Sequence, residues 1–339
     1  MTASAPALLD VRNLSVAVDT DEGVASILDG VNFQLAPGSI HGVVGESGCG
    51  KSTLIKAILG LLPARSRATE GSVALNGKPL FGLEQASTAH SVRGRQIGFI
   101  PQDPFLALNP VFRVGDQLLE AMWWHGAGSD DTNREKPRAQ RRRAYSERIV
   151  ELLRAVQLPD PELALARYPH QFSGGQRQRL LIAAALACAP QVVLADEPTT
   201  ALDVTTQLQI LKLLRQLTRE RGVSMMFVTH DFGVVAQLCD TVTVMYAGQT
   251  VETGPVAAVM EQPSHPYTRL LLACHPERSV ELKGIPGAVP SPLRPPAGCR
   301  FNPRCPEVIP DCESGRPKLS PASAGRHVAC FRCHAEAVP

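Results

Sequence analysis

The sequence predicts an α/β fold built on a mainly parallel sheet, and three observations lead there. A glycine-rich loop separates a strand pattern from a helix pattern at 40–52, strand and helix runs alternate across 191–228, and a proline- and cysteine-rich stretch follows from 263. Repeated strand–helix units give parallel strands joined by crossovers, so the first two observations set the fold class.

In chain order, Val31, Phe33 and Leu35 alternate, the run 40–44 is apolar, and a helix is expected from near Gly50. The pattern is helical and charged from about Asp116 to Arg167, which predicts a helical subdomain across about 105–172. Its basic run, 133–148, reads as a solvated helix face. Residues 191–195 read as a buried strand, Leu208, Leu211, Leu214 and Leu217 mark one face of a helix, and 223–228 form the next strand. The segment 263–339 holds 14 of the 28 prolines. A boundary near Gln262 is therefore expected between a main domain, 8–262, and a small loop-rich C-terminal module, 263–339.

Composition narrows the function. The chain has 339 residues, 44% hydrophobic and 19% charged, the balance of an ordinary globular protein. A net charge of +2 supplies no broad field for nucleic acid, so no nucleic-acid partner is expected. The start lacks the basic and apolar regions of an export signal. The longest apolar run, 180–189, has ten residues, short of the roughly 18–20 that span lipid. A cytoplasmic placement follows as an expectation, and with it reduced cysteines.

The segment Gly45-Glu46-Ser47-Gly48-Cys49-Gly50-Lys51-Ser52, followed by Thr53, fits a phosphate-binding P-loop. Its glycines let backbone N–H groups wrap phosphates, Lys51 is suited to neutralise β- and γ-phosphate charge, and Ser52 to ligate Mg2+. The apolar run 192–195 ends in Asp196 and Glu197, the first a metal-side acid and the second a candidate general base. Phe172-Ser173-Gly174-Gly175-Gln176 opens a helical run, where Ser173 and exposed N–H groups would form an anion site.

That last segment makes the chain resemble the ATP-binding cassette (ABC) ATPases. The resemblance implies a P-loop NTPase core with a mainly parallel sheet, an antiparallel β subdomain and an inserted helical subdomain. It also implies ATP and Mg2+ as ligands, and a head-to-tail dimer in which Ser173, Gly174, Gly175 and Gln176 of one protomer close on ATP held by the P-loop of another. Gln102 in IPQDP resembles the glutamine that links Mg2+ to the helical subdomain, and Asp203 in TALD resembles the D-loop aspartate. His230 in VTHD resembles the switch histidine that contacts γ-phosphate. With Lys51, Glu197 and Gln102 it completes the implied catalytic set.

YPHQFSGGQRQR, DEPTTALDVTTQ, HPYTRLL and GCRFNPRC resemble the ATPase subunits of dipeptide and oligopeptide importers, from about Leu8 to Cys333. Nickel, glutathione and opine importers share HPYTRLL and the proline-rich tail after it. The resemblance implies two membrane permease subunits, an external solute-binding protein, a second ATPase subunit that is a paralogue or a copy, and a peripheral place on the cytoplasmic face of the inner membrane. The rival reading is a soluble ABC ATPase acting on nucleic acid or ribosomes. Only about 120 residues separate Ser52 from Ser173, which leaves no room for the long coiled coils of DNA-repair relatives.

Cys299, Cys305, Cys312 and Cys330 are spaced by five, six and seventeen residues, wider than zinc-knuckle pairs and unlike ferredoxin spacings. Spacing supports a metal site without naming the metal. The importer resemblance implies a 4Fe-4S cluster, with zinc as the alternative and Cys333, His327 or His334 as substitutes at the fourth position.

One position departs from the family pattern. Val18 stands where many ABC ATPases place an aromatic that stacks on adenine, and such stacking contributes about 1–3 kcal/mol per base. Val18→Phe is expected to tighten ATP binding about ten- to a hundredfold by titration calorimetry. Unchanged affinity would remove adenine stacking from this position.

Overall fold

The structure, a computed structural model, describes residues 7–81, 92–126, 132–274, 284–323 and 325–335. Its strands in chain order are β1 (Leu9–Thr20), β2 (Gly23–Leu35), β3 (Ile40–Val44), β4 (Ser66–Leu75), β5 (Lys78–Phe81), β6 (Ile97–Ile100), β7 (Val192–Asp196), β8 (Ser224–Thr229), β9 (Thr241–Tyr246), β10 (Gln249–Pro255), β11 (Ser320–Pro321) and β12 (His327–Val328). Two compact units result, one from Met1–Ala36, Ile40–Ala86 and Phe227–Pro339, the other from Pro37–Ser39 and Ser87–Met226.

In the first unit, β2-β1-β4-β5 form a four-stranded antiparallel sheet, as the family resemblance implied. Leu9 pairs with Leu35 on one side and Leu75 on the other. All three side chains are buried, which fixes the register, because a one-residue slip would turn this apolar set to water. A second set of strands runs β11-β12-β10-β9-β3, with β3 parallel to β9 and the others antiparallel. Every residue of β3 is buried, as expected of a strand covered on both faces. The helix Lys51–Leu59 follows it, entered through Gly50 and ended at Gly60, both at positive φ.

The C-terminal residues belong to this same unit. β12 adds to β10 through Glu252 and Val328. Buried arginines anchor the rest: Arg300 pairs with Asp29 at 3.1 Å and donates to the Ala247 carbonyl, and Arg326 donates to the Gln262 carbonyl.

The second unit holds parallel β6 and β7 and the helices Val114–His125, Arg138–Ala155, Gly174–Leu186 and Val204–Arg221. Tyr145, Ile149, Leu152 and Leu153 form the buried stripe of Arg138–Ala155. Arg138, Arg142 and Arg143 lie on its exposed side, as expected of a solvated face, whereas Arg141 stacks on Trp123 at 3.5 Å and Arg148 donates to the Ala187 carbonyl at 3.1 Å, so the basic run is solvated only in part. Among the described residues no helix is long and apolar enough to cross a membrane.

His41 of β3 reports on the first unit. Its ring nitrogens meet Thr241 Oγ1 at 2.8 Å and Thr243 Oγ1 at 2.9 Å, and the ring stacks on Phe33 at 5.1 Å. Burial pushes its pKa down to about 3, so the ring is neutral when folded. A lowered histidine pKa contributes stability that is full above about pH 6.5 and is lost as pH falls toward 3. From pH 6.5 to 5.5 His41 should cost the fold about 1 kcal/mol. In His41→Gln the fall of unfolding free energy over that interval should be shallower by this amount in urea titrations. An unchanged slope would show that His41 charges equally in both states.

Candidate functional site

The phosphate loop lies in the first unit, between β3 and the helix Lys51–Leu59. Gly45, Cys49, Gly50 and Lys51 are buried, Glu46 and Thr53 are half-buried, and Ser47, Gly48 and Ser52 are exposed. Gly50 must be glycine: its φ is 101°, and a Cβ there would lie 2.7 Å from Leu28 Cδ2. Lys51, 5% exposed, donates to the carbonyls of Gly45 at 2.8 Å and Glu46 at 3.1 Å. These bonds fold the ammonium back against the loop. Burial pushes the Cys49 thiol up, which keeps it neutral beside Lys51.

Glu46 is held from outside the loop. Its N–H donates to Tyr267 Oη at 3.0 Å, and its carboxylate accepts both terminal nitrogens of Arg304, at 2.8 and 3.1 Å. His230 is exposed at the end of β8, and the following Asp231 caps the helix Phe232–Leu238 by accepting the Gly233 N–H at 2.7 Å. Val18 lies half-buried on β1, paired with Ala25 and Ser66.

The remaining residues expected at the nucleotide site lie in the second unit. Asp196, 8% exposed, ends β7, and Glu197 follows at a φ of 43°, a left-handed conformation that costs a non-glycine residue about 1–2 kcal/mol. Its Oε2 accepts Gln102 Nε2 at 3.3 Å and the Thr200 hydroxyl at 3.0 Å. Backbone strain and two donors therefore fix one carboxylate, as expected of a side chain held in a set direction.

Ser173 caps the helix Gly174–Leu186 with a reciprocal box: its Oγ accepts the Gln176 N–H at 3.3 Å, and Gln176 Oε1 accepts the Ser173 N–H at 3.0 Å. Ser173 stays exposed, so the helix start keeps donors facing water. Gly175 is required by close packing, since a Cβ there would sit 2.6 Å from Thr206 Cγ2. Thr206 in turn donates its N–H and hydroxyl to Asp203, at 3.0 and 2.7 Å, and these bonds hold the Asp203 carboxyl below its ordinary range.

Cys299, Cys305, Cys312 and Cys330 line one small cavity with His265, Phe301 and Glu307. Burial pushes Cys299 up to about 11, and a hydrogen bond with Cys333 holds Cys330 below the usual thiol range. The donor set, four thiols on one cavity, suits a thiolate-bound group. As placed, however, no three Cys, His, Asp or Glu side chains among the described residues stand in metal-ligating geometry. The His334 side chain lies outside the described residues.

Sequence reasoning missed Thr200, Tyr267 and Arg304. All three sit inside phrases that the sequence made prominent, DEPTTALD, HPYTRLL and NPRC, but spacing alone assigns them no partner.

The ABC transporter family model matches residues 28–200, and a model of the oligopeptide/dipeptide transporter C-terminal region matches residues 251–312. A probable peptide ABC transporter ATP-binding protein of Sinorhizobium fredii is 45% identical over 330 residues, 96% of this chain and 95% of the relative. The oligopeptide transport ATP-binding protein OppD of Escherichia coli is 44% identical over 331 residues, 97% of this chain and 94% of OppD. Among solved structures, the dimeric post-hydrolysis state of the ATP-binding cassette MJ0796 bound to ADP and Pi superposes with a TM-score of 0.61 at 28% identity, covering 73% of this chain and 98% of that one.

Proposed function

The chain belongs to the ABC transporter family, and from that premise we propose that it powers the import of peptides through a membrane complex. It is an ATP-binding, ATP-hydrolysing subunit. The observation that carries the choice of peptides is the match of 251–312 to the oligopeptide/dipeptide transporter C-terminal region, joined to near full-length identity with peptide-transport relatives.

In the proposed reaction, backbone N–H groups of residues 45–53 wrap the triphosphate, and Lys51 neutralises charge on the β- and γ-phosphates. Ser52, Gln102 and Asp196 would be the residues to hold Mg2+, which would offset charge on the phosphoryl oxygens when bound. Glu197 orients the attacking water and takes its proton, and His230 contacts the γ-phosphate. The exposed helix start at Ser173, Gly174, Gly175 and Gln176 receives the γ-phosphate of a second ATPase subunit, with Asp203 at the same dimer face. Because ATP touches both subunits only when they close, its binding favours the closed dimer and hydrolysis releases it.

The proposed partners are that second ATPase, two permease subunits and an external solute-binding protein, with this chain peripheral on the cytoplasmic face of the inner membrane. In support, Phe105, Leu106, Val111 and Phe112 are 51–84% exposed in one short segment of the second unit. Apolar side chains so exposed suit a protein surface that covers them.

For Cys299, Cys305, Cys312 and Cys330 we propose a metal centre, a 4Fe-4S cluster before zinc, supported by their shared cavity and by the importer resemblance. Protein purified without oxygen should hold about four irons and four acid-labile sulfides per chain. Stoichiometric zinc without sulfide would transfer the site to zinc, and neither metal would leave structural thiols.

Glu197→Gln tests the hydrolytic reading. Removing a general base costs about 10²–10⁴-fold in rate, so the variant should still bind Mg·ATP, gather as a closed dimer in size-exclusion chromatography and release little phosphate. Near-normal turnover would strip Glu197 of its role.

A further inference from the structure

The contacts on Glu46 come from the C-terminal part of the chain, far in sequence from the loop they hold. Tyr267 belongs to the helix Pro266–Ala273 and Arg304 to the segment before Cys305. Together they fix the backbone N–H and both carboxylate oxygens of the second residue of the phosphate loop.

Both are themselves immobilised. The Arg304 side chain is 3% exposed; its Nε donates to the Pro286 carbonyl at 2.9 Å, and Nη2 donates to that of Ile285 at 3.0 Å. Nη1 reaches Tyr246 Oη at 3.3 Å. The rings of Tyr246, Tyr267 and Phe301 pack with centroids 4.6–5.4 Å apart, so the Tyr267 ring is held by buried aromatic neighbours. The fork geometry of a guanidinium on a carboxylate adds direction to the charge pairing.

The clamp reaches the working cation in one step, since the carbonyl of Glu46 accepts a hydrogen bond from Lys51. It also solves an electrostatic problem. A carboxylate in a loop that binds a polyanion opposes its ligand, and unpaired it would compete for Lys51. Arg304 takes up that charge and turns it away, and its own pKa is raised by the pairing.

We propose that Tyr267 and Arg304 are positioning residues for the nucleotide site: by fixing and neutralising Glu46 they set the phosphate loop for Mg·ATP, so that the C-terminal segment controls nucleotide affinity. The proposal rests on the reading of residues 45–53 as the ATP site.

The test is calorimetric titration of the full-length chain with Mg·ATP, alongside its thermal midpoint without nucleotide. Arg304→Met, which keeps the aliphatic stem and frees the Glu46 carboxylate, should weaken Mg·ATP binding about tenfold or more, the scale of one charge-assisted hydrogen bond. Adding Glu46→Gln to Arg304→Met removes the stray charge and should restore most of the affinity. A merely structural role predicts no such rescue. Should Arg304→Met fail to fold, Arg304→Lys, which keeps the charge and loses the fork, should show a smaller loss that Glu46→Gln does not relieve, because it leaves the buried ammonium unpaired. Unchanged affinity in a folded Arg304 variant, or losses that add when Glu46→Gln joins Arg304→Met, would overturn the clamp. Failure of the unaltered chain to bind Mg·ATP would instead overturn the reading beneath it.

Discussion

A buried ammonium is the constraint around which the first compact unit is organised. Lys51 is almost wholly removed from water, and two carbonyls of its own loop receive it. Carbonyl dipoles compensate only part of the cost of burying a charge. An anion with several oxygens would compensate far more, which suits Lys51 to the phosphate chain of the proposed site. The buried strand β3, the left-handed Gly50 and the helix from Lys51 exist to hold that cation at one depth and in one direction.

The C-terminal residues extend this arrangement rather than standing apart from it. Arg300, Arg304 and Arg326 point inward, away from solvent, and each finds a carboxylate or carbonyl supplied by an earlier segment of the chain. Ion pairs of this kind are costly to break, because removal of one partner leaves the other buried and uncompensated. The tail is thereby tied to the β2 strand, the phosphate loop and β10, and the thiol-lined cavity forms beside those ties. In the second unit the same pattern recurs with hydroxyls and amides: Glu197 is steadied by Gln102 and Thr200, and Gly175 lets Thr206 approach the helix Gly174–Leu186 while Asp203 caps the helix Val204–Arg221 by accepting from Thr206.

What could be read from sequence was local. An apolar run ending in a glycine loop can hardly be anything but a buried strand entering a helix, so β3, Gly50 and Lys51–Leu59 emerged where expected, as did β7, β8 and the long helix Val204–Arg221 between them. The antiparallel sheet β2-β1-β4-β5 came from family resemblance, since the pattern around Val31 and Phe33 suggests strands but not their order. Contacts across long sequence separations were invisible. Glu46 and Arg304 stand 258 positions apart, and nothing in either phrase names the other. The cysteines fall between: their clustering was plain and they do share a cavity, yet no spacing rule places sulfur atoms, and their side chains do not converge to ligating geometry.

The most direct measurement is a structure, by electron cryomicroscopy, of the full chain assembled with its membrane partners and a non-hydrolysable Mg·ATP analogue. The expected result is that Lys51 Nζ leaves the carbonyls of Gly45 and Glu46 for the β- and γ-phosphates, with the Ser173–Gln176 helix start of a neighbouring ATPase, or its counterpart, against the same γ-phosphate. Nucleotide bound elsewhere, or a loop in which Lys51 keeps its carbonyls while the analogue is present, would contradict it.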